Sequence, residues 1–443
     1  MHLSNKLLDT KVIEIMNQLP AGARGLVVGG AVRDALLGLE TKDLDIEIHG
    51  LNYQELKKHL AKFGPVREVG KSFGVLKVDG INADWSLPRK DSRGRRPVVE
   101  IDPHMDLKDA FLRRDLTINA LGYDPKTQEI IDFYGGVKDI KNKTLKAVCD
   151  HKFGEDPLRV LRVMQFMSRF GFTPDHQLTD LCKKVGLSGL SVMRIRSEFS
   201  KLFAAKYPSL GLRWLEDIGQ LDIVMPEAKL LFTNNNREQA FAALDAAANI
   251  TQDLPLAQQQ KIRWAALLAS LAPQIKASSL ADYLNKLKDM AAYFKLVKNC
   301  LNRLSGKKTL IDDVIKLITY VQVVELLSHQ DVLDYDFYKL AVLLAPASIN
   351  DLLLVYQALN KSLLAVSKSH QSRAFNIFKD RCEHLAILAK QPRPVITGKY
   401  LYDMGYRDLE LGNALKQAYD LQLKGFKRDD IINFLKKPVK IIF

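Results

Sequence analysis

The hydrophobic period of this chain changes near residue 150, and that change constrains the fold more than any other feature. Upstream, short segments alternate apolar and polar residues: "GLVVGG", "LDIEI", "FGVLKV", "NADWSL", "EIIDF" and "TLKAV". A period of two puts successive side chains on opposite faces of a strand. Between them, "AVRDALLG" and "YQELKKHLAKFG" have helical spacing, the first closed by Gly38. Downstream of Asp150 the strand signal stops, and stretches such as "LRVLRVMQFMSRFG" and "DDVIKLITYVQVVELLS" keep apolar residues at helical intervals. The chain is therefore predicted to carry an N-terminal α/β head with a mixed five-stranded sheet, followed by an all-α neck, body and tail. The expected segments are 1–150, 151–215, 216–390 and 391–443, with "KQPRPVITG" as a helix-breaking linker. Residues 1–20 read as an amphipathic helix with Leu7, Leu8, Val12, Ile13 and Met16 on one face.

At 443 residues the chain exceeds what one compact core accommodates. Its net charge of +14 points to a polyanionic partner, nucleic acid or a membrane surface. No apolar run approaches the length of a membrane span, which favours nucleic acid. The four cysteines, Cys149, Cys182, Cys300 and Cys382, have no paired spacing. That excludes a disulfide framework and a zinc site, and fits a reducing cytoplasm.

The stretch "GGAVRDALLGLETKDLDIEIHG" (29–50) carries the chemistry. Strand, Gly-Gly turn and helix form an arrangement in which backbone amides can approach a phosphate, with Arg33 in the first helical turn. Ten residues on, Asp43, Asp45 and Glu47 share one face of a strand and Leu44, Ile46 and Ile48 the other. Carboxylates about 7 Å apart repel unless a cation lies between them, and an all-oxygen set completed by water suits Mg²⁺. A triphosphate beside its metal ions accounts for both halves of the stretch. Asp84 is the candidate third carboxylate, with Glu47 its rival. A glycosyltransferase of DxD type also binds a metal and a nucleotide, but leaves the later motifs without a role.

With these residues in hand, four blocks resemble the class II tRNA nucleotidyltransferases, or CCA-adding enzymes, and bacterial poly(A) polymerases. "GGAVRDALLG…KDLDIEI" is similar to the catalytic motif, "RRDLTINALGYD" (113–124) to the ribose motif, "DFYGGVKDI" (132–140) to the hinge motif and "EDPLRVLRVMQF" (155–166) to the nucleotide-selecting motif. The resemblance implies a nucleotidyltransferase head and a basic, tRNA-binding tail. It implies that Asp43 and Asp45 bind the metal ions and that Gly29, Gly30 and Arg33 hold the triphosphate. Asp115 would contact the ribose 2′-hydroxyl, supported by Arg113 and Arg114, and Asn119 would help bind the nucleotide. Asp156 and Arg159 would read the base, oriented by Glu155 and Arg162. That last assignment also has a chemical basis. An acceptor–donor pair three residues apart matches the amino group and ring nitrogen of cytosine and adenine, and mismatches guanine and uracil.

The expected activity is template-independent addition of C and A to the tRNA 3′ end from CTP and ATP with Mg²⁺, releasing pyrophosphate. Poly(A) synthesis, CC-only or A-only addition, and a silent RNA-binding scaffold are the alternatives. The absence of a His-Asp dipeptide predicts no phosphohydrolase activity. The loop "KDSRG" (90–94) is short for a member that adds the terminal A; Arg93 within it and Arg95 and Arg96 after it could instead guide substrate.

Overall fold

Strand β1 (Arg24–Val28) is buried on both faces, as its run of glycine, leucine and valine requires, and it lies inside the head sheet. The computed structural model describes residues 8–41, 43–69, 74–91, 99–232, 236–329, 331–362 and 368–436. Around β1 are β2 (Leu44–His49), β3 (Val66–Val69), β4 (Val75–Val78) and β5 (Ala83–Ser86). Strands β6 (Arg89–Asp91) and β7 (Val99–Ile101) form a separate hairpin, and β8 (Gly122–Asp124) and β9 (Glu129–Ile131) complete the main sheet. Its order is β3-β4-β5-β2-β1-β8-β9. The β2–β5 pair is parallel and the other pairs are antiparallel.

The sheet is mixed, as expected, but has seven strands rather than five. The reading missed β3, an edge strand of sequence VREV with three exposed residues, and β8, only three residues long. Neither is long or apolar enough to carry a period-two signal. "TLKAV" contributes β10 (Thr144–Leu145), which leaves the main sheet to pair in parallel with β11 (Thr173–Pro174). The strand signal therefore does not end at Asp150.

The chain divides into two compact units, Met1–Glu198 with Leu210–Val224, and Phe199–Ser209 with Met225–Phe443. In the first unit, α1 (Thr10–Asn17) buries Val12, Ile15 and Met16 behind an Asp9 N-cap; Leu7 lies outside the described residues. Helix α2 (Gly30–Leu36) follows β1, and α3 (Tyr53–Leu60) begins with a capping box between Asn52 and Glu55. Helix α4 (Leu107–Leu112) places Phe111 in a small core with Leu26, Val28 and Ala120. Helices α5 (Gly136–Lys141), α6 (Asp150–Phe153), α7 (Leu158–Phe170), α8 (His176–Lys184) and α9 (Val192–Leu202) continue the chain.

The second unit is helical. Helices Arg237–Ile250, Leu256–Ala269, Lys308–Tyr320 and Ile349–Ser362 pack together. The buried Arg263 guanidinium donates to the carbonyls of Phe203, Ala205 and Ala248 and to Thr251 Oγ1. Near the C-terminus, helices Gly398–Asp403, Asp408–Leu423 and Arg428–Leu435 enclose a core of Leu401, Ala414, Ala418, Ile431 and Leu435. Among the described residues no single helix is long and apolar enough to cross a membrane.

Candidate active site

Sheet register assembles the carboxylates. Asp45 on β2 is the direct partner of Asp84 on the parallel β5, and Asp43 lies just ahead of β2. Cα partners in a sheet project their side chains to the same face, so Asp45 and Asp84 are near neighbours there. Asp43 and Asp45 are exposed and Asp84 is partly so, while Leu44 and Ile46 are buried on the opposite face. The Asp45 pKa lies above the usual carboxylate value. Partial desolvation is the main cause, and the charges of Asp84 and Asp43 add to it against the opposing pull of Arg114. Asp45 keeps solvent access, so the flanking protein displaces only part of its hydration.

Glu47 continues the row but does a different job. It is fully buried, with His49 Nε2 at 3.2 Å and Arg113 and Arg114 at 3.5 and 4.0 Å. Burial works against its ionisation, but His49, Arg114 and Arg113 outweigh that and hold its pKa below the usual value. As a rival to Asp84 it is therefore set aside, because an enclosed, paired carboxylate presents no free lone pairs to a ligand. It anchors the two arginines instead.

The glycine turn follows β1, the strand that pairs with β2. Gly29 has φ +76° and caps α2, and its amide donates to the Leu121 carbonyl at 2.9 Å. A Cβ at Gly29 would lie 2.6 Å from Arg114 Nη1, so glycine is required both by the backbone and by the arginine beside it. Arg114 is stacked on Phe111 at 5.5 Å, and burial lowers its pKa. Its Nε has no hydrogen-bond partner among the described residues.

Arg33, expected from the sequence to help hold the triphosphate, is enclosed by neighbouring side chains. It is 4% exposed, donates to Asp34 Oδ1 at 2.8 Å and to Asn119 Oδ1, and lies 5.1 and 5.0 Å from the rings of Phe166 and Phe170. Asp34 also accepts from Arg169 at 2.8 Å. The guanidinium therefore ties the glycine turn and its helix to α7. A Cβ on Gly30 would press against it at 3.3 Å.

Asp115 is the hub of the ribose motif. It accepts from Arg162 Nε at 2.6 Å, Asn119 Nδ2 at 2.9 Å and the Leu116 amide at 2.9 Å. Burial opposes its ionisation, but Arg162 and these hydrogen bonds overcome it and hold the pKa at about 2. The hinge motif is a tight turn. Asp132 accepts from the amides of Gly136 at 2.8 Å and Val137 at 3.0 Å, and Thr117 Oγ1 donates to Asp139 at 2.7 Å.

Asp156 and Arg159 flank the start of α7, whose N-cap is Pro157. The Arg159 amide donates to the Asp156 carbonyl at 3.0 Å, while their side chains take other hydrogen-bond partners. Asp156 accepts from the Leu158 amide and from Arg194 Nη2 on α9 at 2.6 Å, while Arg159 donates to the carbonyls of Lys152 and Arg113. Glu155 pairs with Lys152. Sequence reasoning missed Arg194, Asp34, Arg169 and the Phe166–Phe170 pair. Only the last had a signal, its i,i+4 aromatic spacing on one helix face. Arg93, Arg95 and Arg96 lie outside the described residues.

All of these residues belong to the first unit, so the site is internal to it. It brings together an acidic strand face, buried arginines beside a glycine turn, a hydrogen-bonded aspartate and an Asp–Arg pair at a helix start.

Comparison with known proteins places two segments of the chain in described families. Residues 26–146 match the model of the poly A polymerase head domain, and residues 178–231 match that of a probable RNA and SrmB-binding site of polymerase A. The chain is 34% identical over 234 residues to a multifunctional CCA protein of Xanthomonas campestris, covering 50% of this chain and 56% of the relative. It is 34% identical over 260 residues to that of Shewanella denitrificans, covering 55% and 61%. The chain thus spans little more than half the length of the curated relatives it matches. Among solved structures, a Thermotoga maritima CCA-adding enzyme complexed with tRNA aligns with 98% of this chain and 99% of its own, at 21% identity and a TM-score of 0.61. A Bacillus stearothermophilus CCA-adding enzyme in complex with CTP aligns with 94% and 92%, at 20% identity and a TM-score of 0.64. At such identities these two show the shared fold.

Proposed function

We propose, from the head-domain match and the 34% identity to a multifunctional CCA protein, that the chain belongs to the family of CCA-adding enzymes and poly(A) polymerases and adds C and A, without a template, to the 3′ end of tRNA. CTP and ATP are the donors. The tRNA 3′-hydroxyl attacks the α-phosphorus, a new phosphodiester forms, and the bond to pyrophosphate breaks. The observation that carries this reading is the direct register of Asp45 with Asp84, with the charge of Arg114, the neighbour of Gly29, acting on Asp45.

The donor set fits Mg²⁺. Two exposed carboxylates stand beside a third, and the Asp45 pKa is raised chiefly by partial desolvation, with the charges of Asp84 and Asp43 adding to it. Mg²⁺ characteristically takes one or two carboxylates and completes its shell with water and phosphate oxygens. Asp43 and Asp45 would hold it, and when bound it acidifies the attacking hydroxyl and offsets charge on the leaving group. Arg114, with an unpaired Nε beside the turn, supplies charge-assisted donors to the triphosphate. Asp115 has one lone pair left, on Oδ2, to accept from a ribose 2′-hydroxyl. Asp156 and Arg159 read the base, which requires Asp156 to exchange Arg194 for the base amino group. The helical body and the basic segment 391–443 hold the tRNA through its backbone.

The test uses tRNA transcripts ending before CCA, after CC and after CCA, each with CTP, ATP or both. The expected products stop at C, C, A. A long A ladder would make the protein a poly(A) polymerase, and arrest at CC or A-only addition would make it a partial enzyme. Asp43→Ala is expected to lower turnover by at least about 10²-fold while tRNA affinity stays within about twofold. Parallel loss of both would overturn the division between catalytic face and RNA grip.

A further inference from the structure

The row that runs Asp45–Asp84 extends one strand further. Lys77 on β4 is the direct antiparallel partner of Asp84 on β5, as Asp84 is of Asp45 on β2. Partners in register share a face, so Lys77, Asp84 and Asp45 form one line across three adjacent strands. The Lys77 ammonium lies 2.6 Å from Asp84 Oδ1, and both side chains are roughly half in solvent. Its charge is felt by Asp43 and Asp45 as well. The candidate third carboxylate therefore already has a cation on it.

We propose that Lys77 is a built-in counter-cation of the acidic face, which holds Asp84 and keeps the affinity for a bare divalent ion low until the ion arrives with a nucleotide triphosphate. It is a positioning residue: it acts through Asp84 rather than on the reacting atoms. The physical reason is competition. Three carboxylates with no internal cation would collect a divalent ion from solution whether or not nucleotide is present. One ammonium in the row offsets part of that attraction, and the additional phosphate ligands of a bound nucleotide then decide whether the ion stays. A strand residue suits this task because register, rather than a flexible loop, fixes the distance to Asp84.

The inference rests on the metal reading of Asp43 and Asp45 given above, and the experiment separates the two. Mn²⁺ is titrated into the full-length protein, free of nucleotide and tRNA, and free Mn²⁺ is read by electron paramagnetic resonance. Lys77→Met is expected to bind Mn²⁺ about fivefold tighter than the parent chain, the scale of one half-exposed ion pair. Lys77→Arg, which keeps the charge, is expected to match the parent. A purely structural role for Lys77 would not tighten Mn²⁺ binding, so an unchanged or weaker Kd for Lys77→Met overturns the proposal, as does equal tightening in Lys77→Arg. Asp45→Asn is the control. If it abolishes Mn²⁺ binding while Lys77→Met leaves it unchanged, the counter-cation alone is wrong. If Asp45→Asn binds as the parent does, the metal reading of the carboxylate face fails, and the role of Lys77 fails with it.

Discussion

The Asp115 carboxyl accepts from Arg162, Asn119 and the Leu116 amide, and its pKa of about 2 records how strongly those partners favour the charged form. The folded-state value lies below the unfolded one, so the stabilisation is present above the unfolded pKa and is lost as pH falls towards the folded pKa. Asp115→Asn is expected to cost about 2 kcal/mol at pH 7, measured by denaturant unfolding followed in the head. The difference from the parent should shrink between about pH 4 and pH 2. A penalty that stays constant across that window would show that packing, not charge, is lost. Asp45 is the opposite case. Its raised pKa means that ionisation costs folding energy, which the sheet retains at the place where the proposed metal would be held.

Turns and helix contacts are set by glycines that leave room for backbone. A Cβ on Gly136 would lie 2.2 Å from the Thr117 carbonyl oxygen, and one on Gly211 would lie 2.5 Å from the Met164 carbonyl. Neither neighbour is a side chain that can swing away. Gly136 brings the "DFYGGVKDI" turn against the "RRDLTINA" segment, so the hinge motif is packed directly on the ribose motif. Gly136→Ala is expected to destabilise the first unit by about 3 kcal/mol or more, as overpacking against backbone does. Gly30→Ala, which meets only the Arg33 side chain at 3.3 Å, is expected to cost clearly less. Thermal unfolding of the two variants compares them. Equal melting temperatures would show that the α5 turn yields, and that the hinge is softer than its contacts imply.

Across the whole molecule the excess of 65 Lys and Arg over 51 Asp and Glu is not spread evenly in purpose. The acidic face holds carboxylates together at a local cost, while the surface charge is predominantly positive. If the partner is tRNA, its affinity should fall about tenfold or more between about 0.05 and 0.2 M salt, since each phosphate contact releases counterions. Lys427→Gln, at an exposed position ahead of the last described helix, is expected to reduce the slope of log affinity against log salt by about one. A slope unaffected by salt or by this change would remove the electrostatic grip from the reading. Fluorescence anisotropy of labelled tRNA across a salt series is the measurement.

Much of the site was legible in the sequence because it is written locally. A Gly-Gly turn between strand and helix, aspartates at i and i+2, and Asp156 and Arg159 at a helix start each depend on residues a few positions apart, and local periodicity fixes their relative faces. Chain composition likewise announced a basic, helix-rich molecule. What tertiary structure decided is everything that depends on which strand lies beside which. Register, not spacing, set Asp84 against Asp45 and Lys77 against Asp84. Burial, not residue type, enclosed Glu47 beside two arginines and Arg33 against two aromatic rings. The same carboxylate or guanidinium reads identically in a sequence whether it faces water or a closed core. Only the packed chain settles how much hydration it keeps and which partners replace the rest.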